Sequence, residues 1–237
     1  MALTKVIGSG VGELTNKVGL GLSSPAAALH VQTSTDGTGL SGDDIYVARF
    51  HNQEATSDRS FGVDIQAGSS TTDQALRIKD HDGTNTLMIV DGLGHITKPK
   101  QPAFSVRPSS NQTNISVGSG VDVVFDTEIF DIGSNFASNT FTAPVTGKYQ
   151  LNVRLYLNTI DTASAFYILN IVTSNYSYVT IVDPNFSADV DYYTMNASVL
   201  ADMDANDTAK IQIHQNNGTA QTDITGADSG FNGMLVG

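Results

Sequence analysis

The stretch "FTAPVTGKYQLNVRLYLN", residues 141–158, constrains the fold more than any other part of the chain. After a Pro-x-x-Gly bend, apolar and polar side chains alternate. The apolar positions are Tyr149, Leu151, Val153, Leu155 and Leu157, and the opposing polar positions are Gln150, Asn152, Arg154 and Asn158. Because successive side chains of a strand point to opposite faces, this pattern predicts a half-buried antiparallel strand.

Similar short apolar runs recur through the C-terminal half, and turn-forming residues separate most of them. The chain holds 22 Gly and only 15% charged residues, which suits short strands and tight turns better than long helices. Regular spacing of this kind is typical of a β-sandwich. We therefore predict an all-β fold, with head strands at 103–107, 121–125, 140–143, 148–158, 165–174, 178–182, 191–201, 208–215 and 231–236.

Composition divides the chain into three predicted parts: an attachment segment, a β-rich shaft and a head, at residues 1–40, 41–98 and 99–237. In the first part, Ser24 and Pro25 predict the N-cap and first turn of a short helix between two strands. In the shaft, Asp82-Gly83 predicts a hairpin turn. The expected shaft strands are 45–51, 62–67, 75–79, 86–90 and 95–97. Two prolines within "TKPKQPAF" stiffen the linker to the head.

Two features predict that the chain assembles with other copies of itself. The shaft has few large apolar residues for its length, and a segment with so little core needs neighbours from other chains. The run "AFYILNIVTS", residues 165–174, is apolar on both faces. One face carries Phe166, Ile168 and Val172, and the other carries Tyr167, Leu169 and Ile171. Such a strand is buried on both sides, by a second layer of the same chain or by another subunit.

Charge and composition exclude several classes of protein. The chain has 12 basic and 24 acidic residues, and residues 101–237 alone hold 4 basic and 13 acidic ones. A surface this acidic repels phosphate backbones, so no nucleic-acid partner is expected. Without cysteine there are no disulfides and no thiolate metal sites. No apolar run has the length of a membrane span or of a signal-peptide core, so no membrane insertion is expected.

Four blocks of the head, in this order, resemble one family. They are "PAFSVR" at 102–107, "FTAPVTGKYQLNV" at 141–153, "ANDTAKIQI" at 205–213 and "SGFNGMLV" at 229–236. Together they resemble the globular head of complement and the tumour-necrosis-factor-like jelly roll, over residues 102–237. This chain has Asn206 and Asn232 where the family usually has Gly and Ser, but Asn tolerates a positive φ in a turn. No Gly-X-Y repeat is present, so the collagen-like stem of the complement proteins is missing.

The N-terminal part resembles a different group of proteins. The segment "VGLGLSSPAAALHV", residues 18–31, is similar to an element common in bacteriophage tail fibres. The segment "ALRIKDHDGTNTLMIVDGLGHI", residues 75–96, is similar to the β-rich shaft modules of those fibres. Both groups of proteins assemble as homotrimers, so the two resemblances imply a homotrimer of the whole chain.

The resemblances imply a virion structural protein on the tail or the capsid surface. The leading hypothesis is a phage fibre or adhesin whose N-terminal region binds other virion proteins and whose head binds a host-surface glycan or envelope protein. Two alternatives stay open: a capsid decoration or head-fibre protein, and a soluble bacterial lectin-like module. No enzyme is predicted, because the five histidines are scattered and neither His-Glu-x-x-His nor Gly-x-Ser-x-Gly occurs.

Candidate binding residues lie in the loops expected at the distal end of the head, 159–164, 183–189 and 215–227. In and beside the second of these loops, Phe186, Tyr192 and Tyr193 are candidates to stack on sugars. Burial of these aromatic side chains at a subunit interface is the alternative role.

One candidate metal site is the turn "ADMDAND", residues 201–207. It places Asp202, Asp204 and Asp207 within six residues, as oxygen ligands for calcium. A solvated acidic turn is the alternative interpretation. Two other segments fail: "KDHDGTN" has its glycine too early for a calcium loop, and "IGSGVG" lacks the lysine and the helix of a phosphate loop.

Overall fold

The structure, a computed structural model, describes residues 18–20, 29–31, 57 and 63–237. The chain forms two compact units, Met1–Gln66 and Ala67–Gly237. In the first unit, two short strands pair in parallel: β1 (Val18–Leu20) and β2 (Leu29–Val31). The helical turn predicted after Ser24 lies outside the described residues, apart from Leu29, which begins β2.

Two further shaft strands were expected upstream of residue 70. The one at 45–51 also lies outside the described residues. The one at 62–67 is wrong for residues 63–67, which form no strand. These residues have no partner strand within the described part of the chain, and a strand needs a neighbour to satisfy its backbone hydrogen bonds.

The second unit begins with a small antiparallel sheet of three strands, β3 (Gln74–Lys79), β4 (Thr86–Asp91) and β5 (Ile96–Thr97). Gly83, with φ of 75°, and Gly94, with φ of 89°, lie in its two turns, where a positive φ is required. These three strands bury none of their side chains fully. The sheet therefore confirms both the shaft strands predicted from residue 75 onward and their lack of a core.

The rest of the second unit is a jelly-roll sandwich of two antiparallel sheets. The first, called the β12 sheet, has the order β13-β12-β15-β10-β9, with β7 paired to β15. The second, called the β11 sheet, has the order β14-β11-β17-β6-β8, with β16 paired to β11. The strands are β6 (Ala103–Arg107), β7 (Gly120–Asp122), β8 (Thr127–Ile132), β9 (Phe136–Ala137), β10 (Thr140–Thr142), β11 (Gly147–Asn158), β12 (Phe166–Thr173), β13 (Ser177–Val182), β14 (Tyr193–Met203), β15 (Thr208–Asn216), β16 (Asp223–Ile224) and β17 (Gly230–Leu235).

The core lies between the two sheets and follows the alternation of the sequence. In β11, the five predicted apolar positions are buried, and the residues between them are half-buried or exposed. Phe104 of β6 stacks on Phe141 at 4.6 Å and meets the edge of Phe231 at 4.9 Å between ring centroids. Offset and edge-to-face aromatic pairs of this kind stabilise a core beyond the area that they bury.

The strand predicted to be apolar on both faces is β12, which lies between the edge strand β13 and β15. Its inner residues Tyr167, Leu169 and Ile171 are fully buried, whereas Phe166, Ile168 and Val172 on the outer face are half-buried. The neighbouring edge strand β13 points Val179 and Ile181 outward, with 56% and 60% of their surface exposed. A single chain therefore covers one face of this sheet and leaves an apolar patch on the other.

Three strands were not predicted, because their sequences lack a usable period. In β8, residues 128–130 are all exposed, and β9 and β16 have two residues each. The strand expected at 121–125 ends at Asp122, yet Val123 and Phe125 are still buried. Within the described residues, no helix has the length and apolar character needed to cross a membrane.

Candidate binding surface at the distal loops

The three predicted loops lie at the end of the head that faces away from the linker. Strand β11 begins beside the C-terminus, where the Lys148 N–H donates to the carbonyl of Gly237 at 2.6 Å. The linker enters at the same end, because the Leu235 N–H donates to the carbonyl of Pro102 at 2.9 Å. β11 is 12 residues long, about 40 Å at strand rise, so its far end is well separated from the linker. The loops 159–164, 183–189 and 215–227 all follow or precede strands at that far end.

A buried carboxylate joins two of these loops. Asp161 is 1% exposed and accepts hydrogen bonds from the backbone N–H groups of Ala163, at 2.8 Å, and Ala220, at 2.7 Å. The Thr219 N–H also donates to it. Burial raises the pKa of Asp161, but the backbone donors at Ala220, Ala163 and Thr219 outweigh it and hold the pKa below its ordinary value. The loop therefore contains an ionised, charge-assisted clamp.

No other residue type fits at Gly218, beside this clamp. Gly218 has φ of 120°, a conformation that residues with a Cβ rarely adopt. A Cβ at this position would lie 2.5 Å from the Asp161 Oδ2 atom and 2.7 Å from the Ser164 hydroxyl oxygen. The loop after β15 can therefore approach Asp161 only through glycine.

Side chains complete the connection among the loops. The Asp189 carboxylate accepts from the Thr162 N–H at 2.9 Å and from the Thr162 hydroxyl at 2.8 Å. The Gln215 amide donates to the Ala220 carbonyl at 2.6 Å, and the buried Tyr167 hydroxyl accepts from the Asp161 N–H at 3.0 Å. Loops from three separate places in the sequence are thus held in one arrangement.

Aromatic side chains form two pairs beside these loops. The Phe186 and Tyr193 rings lie 6.0 Å apart, and Tyr192 stacks against Tyr156 at 6.1 Å with an interplanar angle of 24°. Phe186 is 39% exposed and Tyr192 is 68% exposed in the single chain. The structure therefore pairs Phe186 with Tyr193, and separately pairs Tyr192 with a fourth aromatic residue that was not predicted, Tyr156. Its sequence signal is an aromatic residue on the polar face of an alternating strand.

The acidic turn lies at the opposite, proximal end of the head. Asp202 forms an ion pair with Lys148 at 2.5 Å. Asp207 accepts from the Ser174 hydroxyl at 2.7 Å and from the Asp204 N–H at 2.7 Å, and these bonds lower its pKa. No group of three or more acidic or histidine side chains within residues 63–237 is arranged to hold a metal ion. These contacts favour the acidic-turn interpretation, and calcium binding by Asp202, Asp204 and Asp207 stays a prediction.

The turn also explains the departure from the usual family residue. Asn206 has φ of 75°, the conformation for which glycine is preferred and which asparagine tolerates. Its N–H donates to the carbonyl of Ala143 at 2.8 Å, which fixes the turn against the start of the β11 region. The prediction that Asn206 occupies a turn with positive φ is confirmed.

Residues 103–236 match the family described as C1q domain, which is more than half of the chain. Similar solved structures include the globular domain of zebrafish complement 1qA, at 16% identity and a TM-score of 0.43, covering 58% of this chain and 98% of that one. Another is murine APRIL at pH 8.0, at 10% identity and a TM-score of 0.42, covering 58% and 100%. No curated protein matches the chain. Through its residues 103–236, the chain belongs to the C1q domain family.

Proposed function

We propose that this protein is a homotrimeric phage fibre or adhesin whose C1q head binds a host-surface glycan or envelope protein through its distal loops. The observation that carries this proposal is the clamp at Asp161, which orders two loops at the end of the head farthest from the linker. Ordering loops before binding lowers the entropy cost of association. A rigid loop cluster at a free end is suited to recognition.

The aromatic pairs supply the chemistry for a glycan ligand. The exposed face of a tyrosine or phenylalanine ring packs against the apolar face of a sugar ring, and the tyrosine hydroxyl offers a hydrogen bond. Tyr192 and Phe186 expose such faces in the single chain. Side chains of the distal loops, such as Asn185 and Asn217, add amide donors and acceptors.

The trimer is supported by surfaces that a single chain leaves open. The small sheet β3–β5 has no fully buried side chain, and Ile78, Leu87 and Ile96 are exposed on it. A three-stranded sheet needs an apolar face packed on something to be stable. Copies of the same sheet around a three-fold axis meet that need, and the resemblance of residues 1–98 to fibre shafts gives the same symmetry.

The binding test compares two variants that lack tyrosine side chains at opposite ends of the head. Tyr156→Ala/Tyr192→Ala removes one aromatic pair at the distal end, and we expect the purified protein to bind host cells about tenfold more weakly. Tyr176→Ala removes a tyrosine that is also exposed but precedes β13 at the proximal end, and should leave binding unchanged. If the two variants bind host cells with equal strength, the aromatic pair has no role in recognition.

Native mass spectrometry of the same variants separates recognition from assembly. If Tyr156→Ala/Tyr192→Ala binds weakly and remains trimeric, the aromatics contact the ligand. If the variant becomes monomeric, the aromatics lie at the subunit interface instead. Labelled antibody on intact particles then distinguishes a tail fibre from the alternative capsid decoration protein, and absence of label on particles would favour the soluble lectin-like module.

A further inference from the structure

The connections at the distal end of the head carry charge of one sign. Four segments join the longer strands there: residues 108–119, 159–165, 183–192 and 217–229. Together they contain six aspartates and no Lys, Arg or His. The four Lys and Arg residues of the head lie within strands instead, at Arg107, Lys148, Arg154 and Lys210. We call the four segments the distal surface, and their aspartates give it a negative potential.

Three of the six aspartates have a structural role that accounts for them. Asp161 is buried and accepts three backbone N–H bonds. Asp189 accepts from the N–H and the hydroxyl of Thr162. Asp223 accepts from the Asn114 N–H at 2.7 Å. Because these bonds join one segment to another or close a turn, the three carboxylates hold the distal surface in its arrangement.

The other three aspartates, Asp183, Asp191 and Asp228, have no such role in the single chain. All three are exposed, and none accepts a hydrogen bond or forms an ion pair within the described part of the chain. Packing and hydrogen bonding therefore do not account for acidic residues at these positions. What remains is the negative charge that they present to an approaching molecule.

Two of these unpaired carboxylates lie beside the tyrosine pair that is proposed to contact the ligand. Asp191 directly precedes Tyr192. Asp228 directly precedes Ser229, whose hydroxyl accepts from the Tyr156 N–H at 3.0 Å. Tyr156 and Tyr192 are stacked on each other, so the two charges belong to segments that carry or contact this pair. A ligand that packs on the rings therefore approaches both segments.

Arg154 is a basic residue on the same strand as Tyr156. It lies two positions earlier on the same face of β11, about 7 Å along the strand. Its neighbours on that face include Asn152, Asn196 and Ser198, which are uncharged. Arg154 therefore attracts acidic groups, in opposition to the aspartates. Because one positive charge faces six negative ones, the net field at the distal surface still repels anions.

We propose that the distal surface binds an uncharged glycan and that Asp183, Asp191 and Asp228 keep acidic glycans away from it. This inference rests on the proposed function and adds the class of ligand and the residues that select it. A sugar with a carboxylate or sulfate group meets like charge at this surface. The hydroxyl groups of an uncharged sugar instead donate to carboxylate oxygens, and its apolar face packs on tyrosine. Repelling the competitors of a ligand is a general source of specificity.

The test measures binding of the full-length protein to immobilised oligosaccharides, each present in an uncharged form and in a sialylated or sulfated form. In about 0.01 M salt the Debye length is about 30 Å, so the charges of the surface act on the ligand with little screening. We expect wild type to bind the uncharged forms at least about fivefold more tightly than the acidic forms. In about 0.15 M salt, where the Debye length is about 8 Å, this difference should shrink.

The variant Asp183→Asn/Asp191→Asn/Asp228→Asn removes the unpaired charges and keeps the size of each side chain. It should bind the acidic forms about fivefold more tightly than wild type does, and the uncharged forms within about twofold of wild type. Such a gain of binding cannot come from a loss of folding.

A matched control removes the same number of charges elsewhere. Asp64→Asn/Asp82→Asn/Asp204→Asn changes three exposed aspartates outside the distal surface. This variant should bind both forms of each oligosaccharide within about twofold of wild type. Arg154→Gln should also bind the uncharged forms within about twofold of wild type, because the proposed ligand has no acidic group for this arginine to contact.

Four results contradict a specific part of this account. Equal binding of both forms by wild type in about 0.01 M salt, or no gain in the threefold distal variant, would overturn the inference and leave the distal surface as a binding site. Binding of acidic forms that is lost in Arg154→Gln would overturn it too, because the arginine would then recognise the acidic group. Wild type that binds no glycan, and binds host cells only before protease treatment, would have an envelope protein as its ligand, which overturns the inference alone. No binding to host cells at all would overturn the proposed function itself.

Discussion

At the scale of single residues, the distal surface depends on a carboxylate that is buried and ionised. Asp161 replaces the water that it loses with backbone donors from its own turn and from residues 219–220. The bond to Ala163 is a local one, typical of aspartate in turns, and the sequence suffices to predict it. The bonds to residues 219–220 span more than 50 positions and depend on the sandwich bringing the loops together. The sequence therefore predicts the loops but not the residue that joins them.

Asp161→Asn should lower the free energy of unfolding by about 2 kcal/mol. The carboxylate accepts hydrogen bonds through both of its oxygens, whereas the amide that replaces it places an NH₂ donor opposite backbone N–H donors. Urea unfolding of the full chain measures this change. Asp183→Asn is the matched control, since Asp183 is exposed at the same end without a hydrogen bond in the described residues, and its effect should stay within about 0.5 kcal/mol. Equal effects of the two substitutions would contradict the clamp.

The clamp also predicts a pH dependence with a definite sign. The pKa of Asp161 is lowered in the folded state, so its contribution is fully present above the unfolded pKa of about 4 and is lost as the pH falls through the folded pKa. The stability difference between wild type and Asp161→Asn should therefore shrink below about pH 4. A difference that stays constant down to about pH 2 would show that ionisation of Asp161 is not involved.

Two Gly→Ala substitutions separate the backbone strain of a positive φ from the steric overlap of the added Cβ atom. Gly218→Ala should cost about 2 to 3 kcal/mol, because the residue combines a positive φ with a Cβ position 2.5 Å from Asp161 Oδ2. Gly118→Ala also has a positive φ, 89°, but nothing within 4 Å of its Cβ, and should cost about 1 kcal/mol. Thermal unfolding of both variants checks the difference, and equal costs would mean that the loop after β15 moves to accommodate the methyl group.

At the scale of secondary structure, alternation identifies strands only where one face is buried. The predicted run in β11 and the strands β12, β13 and β15 match the structure within one or two residues, because each packs one face on the core. β8 was missed because it lies at a sheet edge with three successive exposed residues. Residues 63–67 show the converse, since an alternating sequence without a partner strand forms none.

The aromatic pairs show that the sequence also predicts only part of the binding surface. Phe186 and Tyr193 were found from the sequence because they lie in or beside a predicted loop. Tyr156 lies 36 positions before its partner Tyr192, and only the antiparallel pairing of β11 with β14 brings the two rings together. Register, rather than composition, therefore determines which aromatic side chains share a surface.

The inner face of β11 gives a direct test of the packing. Leu151→Ala should lower the free energy of unfolding by about 3 kcal/mol, since Leu151 is fully buried and the substitution leaves a cavity. Leu93→Ala changes the same side chain in the turn after β4, where it is 57% exposed, and should cost less than about 1 kcal/mol. Similar losses for both would contradict the assigned face of β11.

At the scale of the whole molecule, the C1q head and the core-poor sheet that precedes it support different conclusions about this protein. The match to the C1q domain over residues 103–236 fixes the family of the head. The proposed trimer depends on apolar surfaces that one chain leaves open: the small sheet β3–β5, and the outer face of the β12 sheet, where Val179 and Ile181 are exposed. The proposed adhesin depends on the distal loops, which lie at the end away from the linker.

Competition for the host surface tests whether this head recognises the host cell. Purified full-length protein, added in excess to host cells before the particles, should occupy the receptor and reduce particle adsorption in proportion to its concentration. The Tyr156→Ala/Tyr192→Ala variant at the same concentration should compete about tenfold less well. Particle adsorption that is unchanged by saturating wild-type protein would contradict the proposal that this head recognises the host.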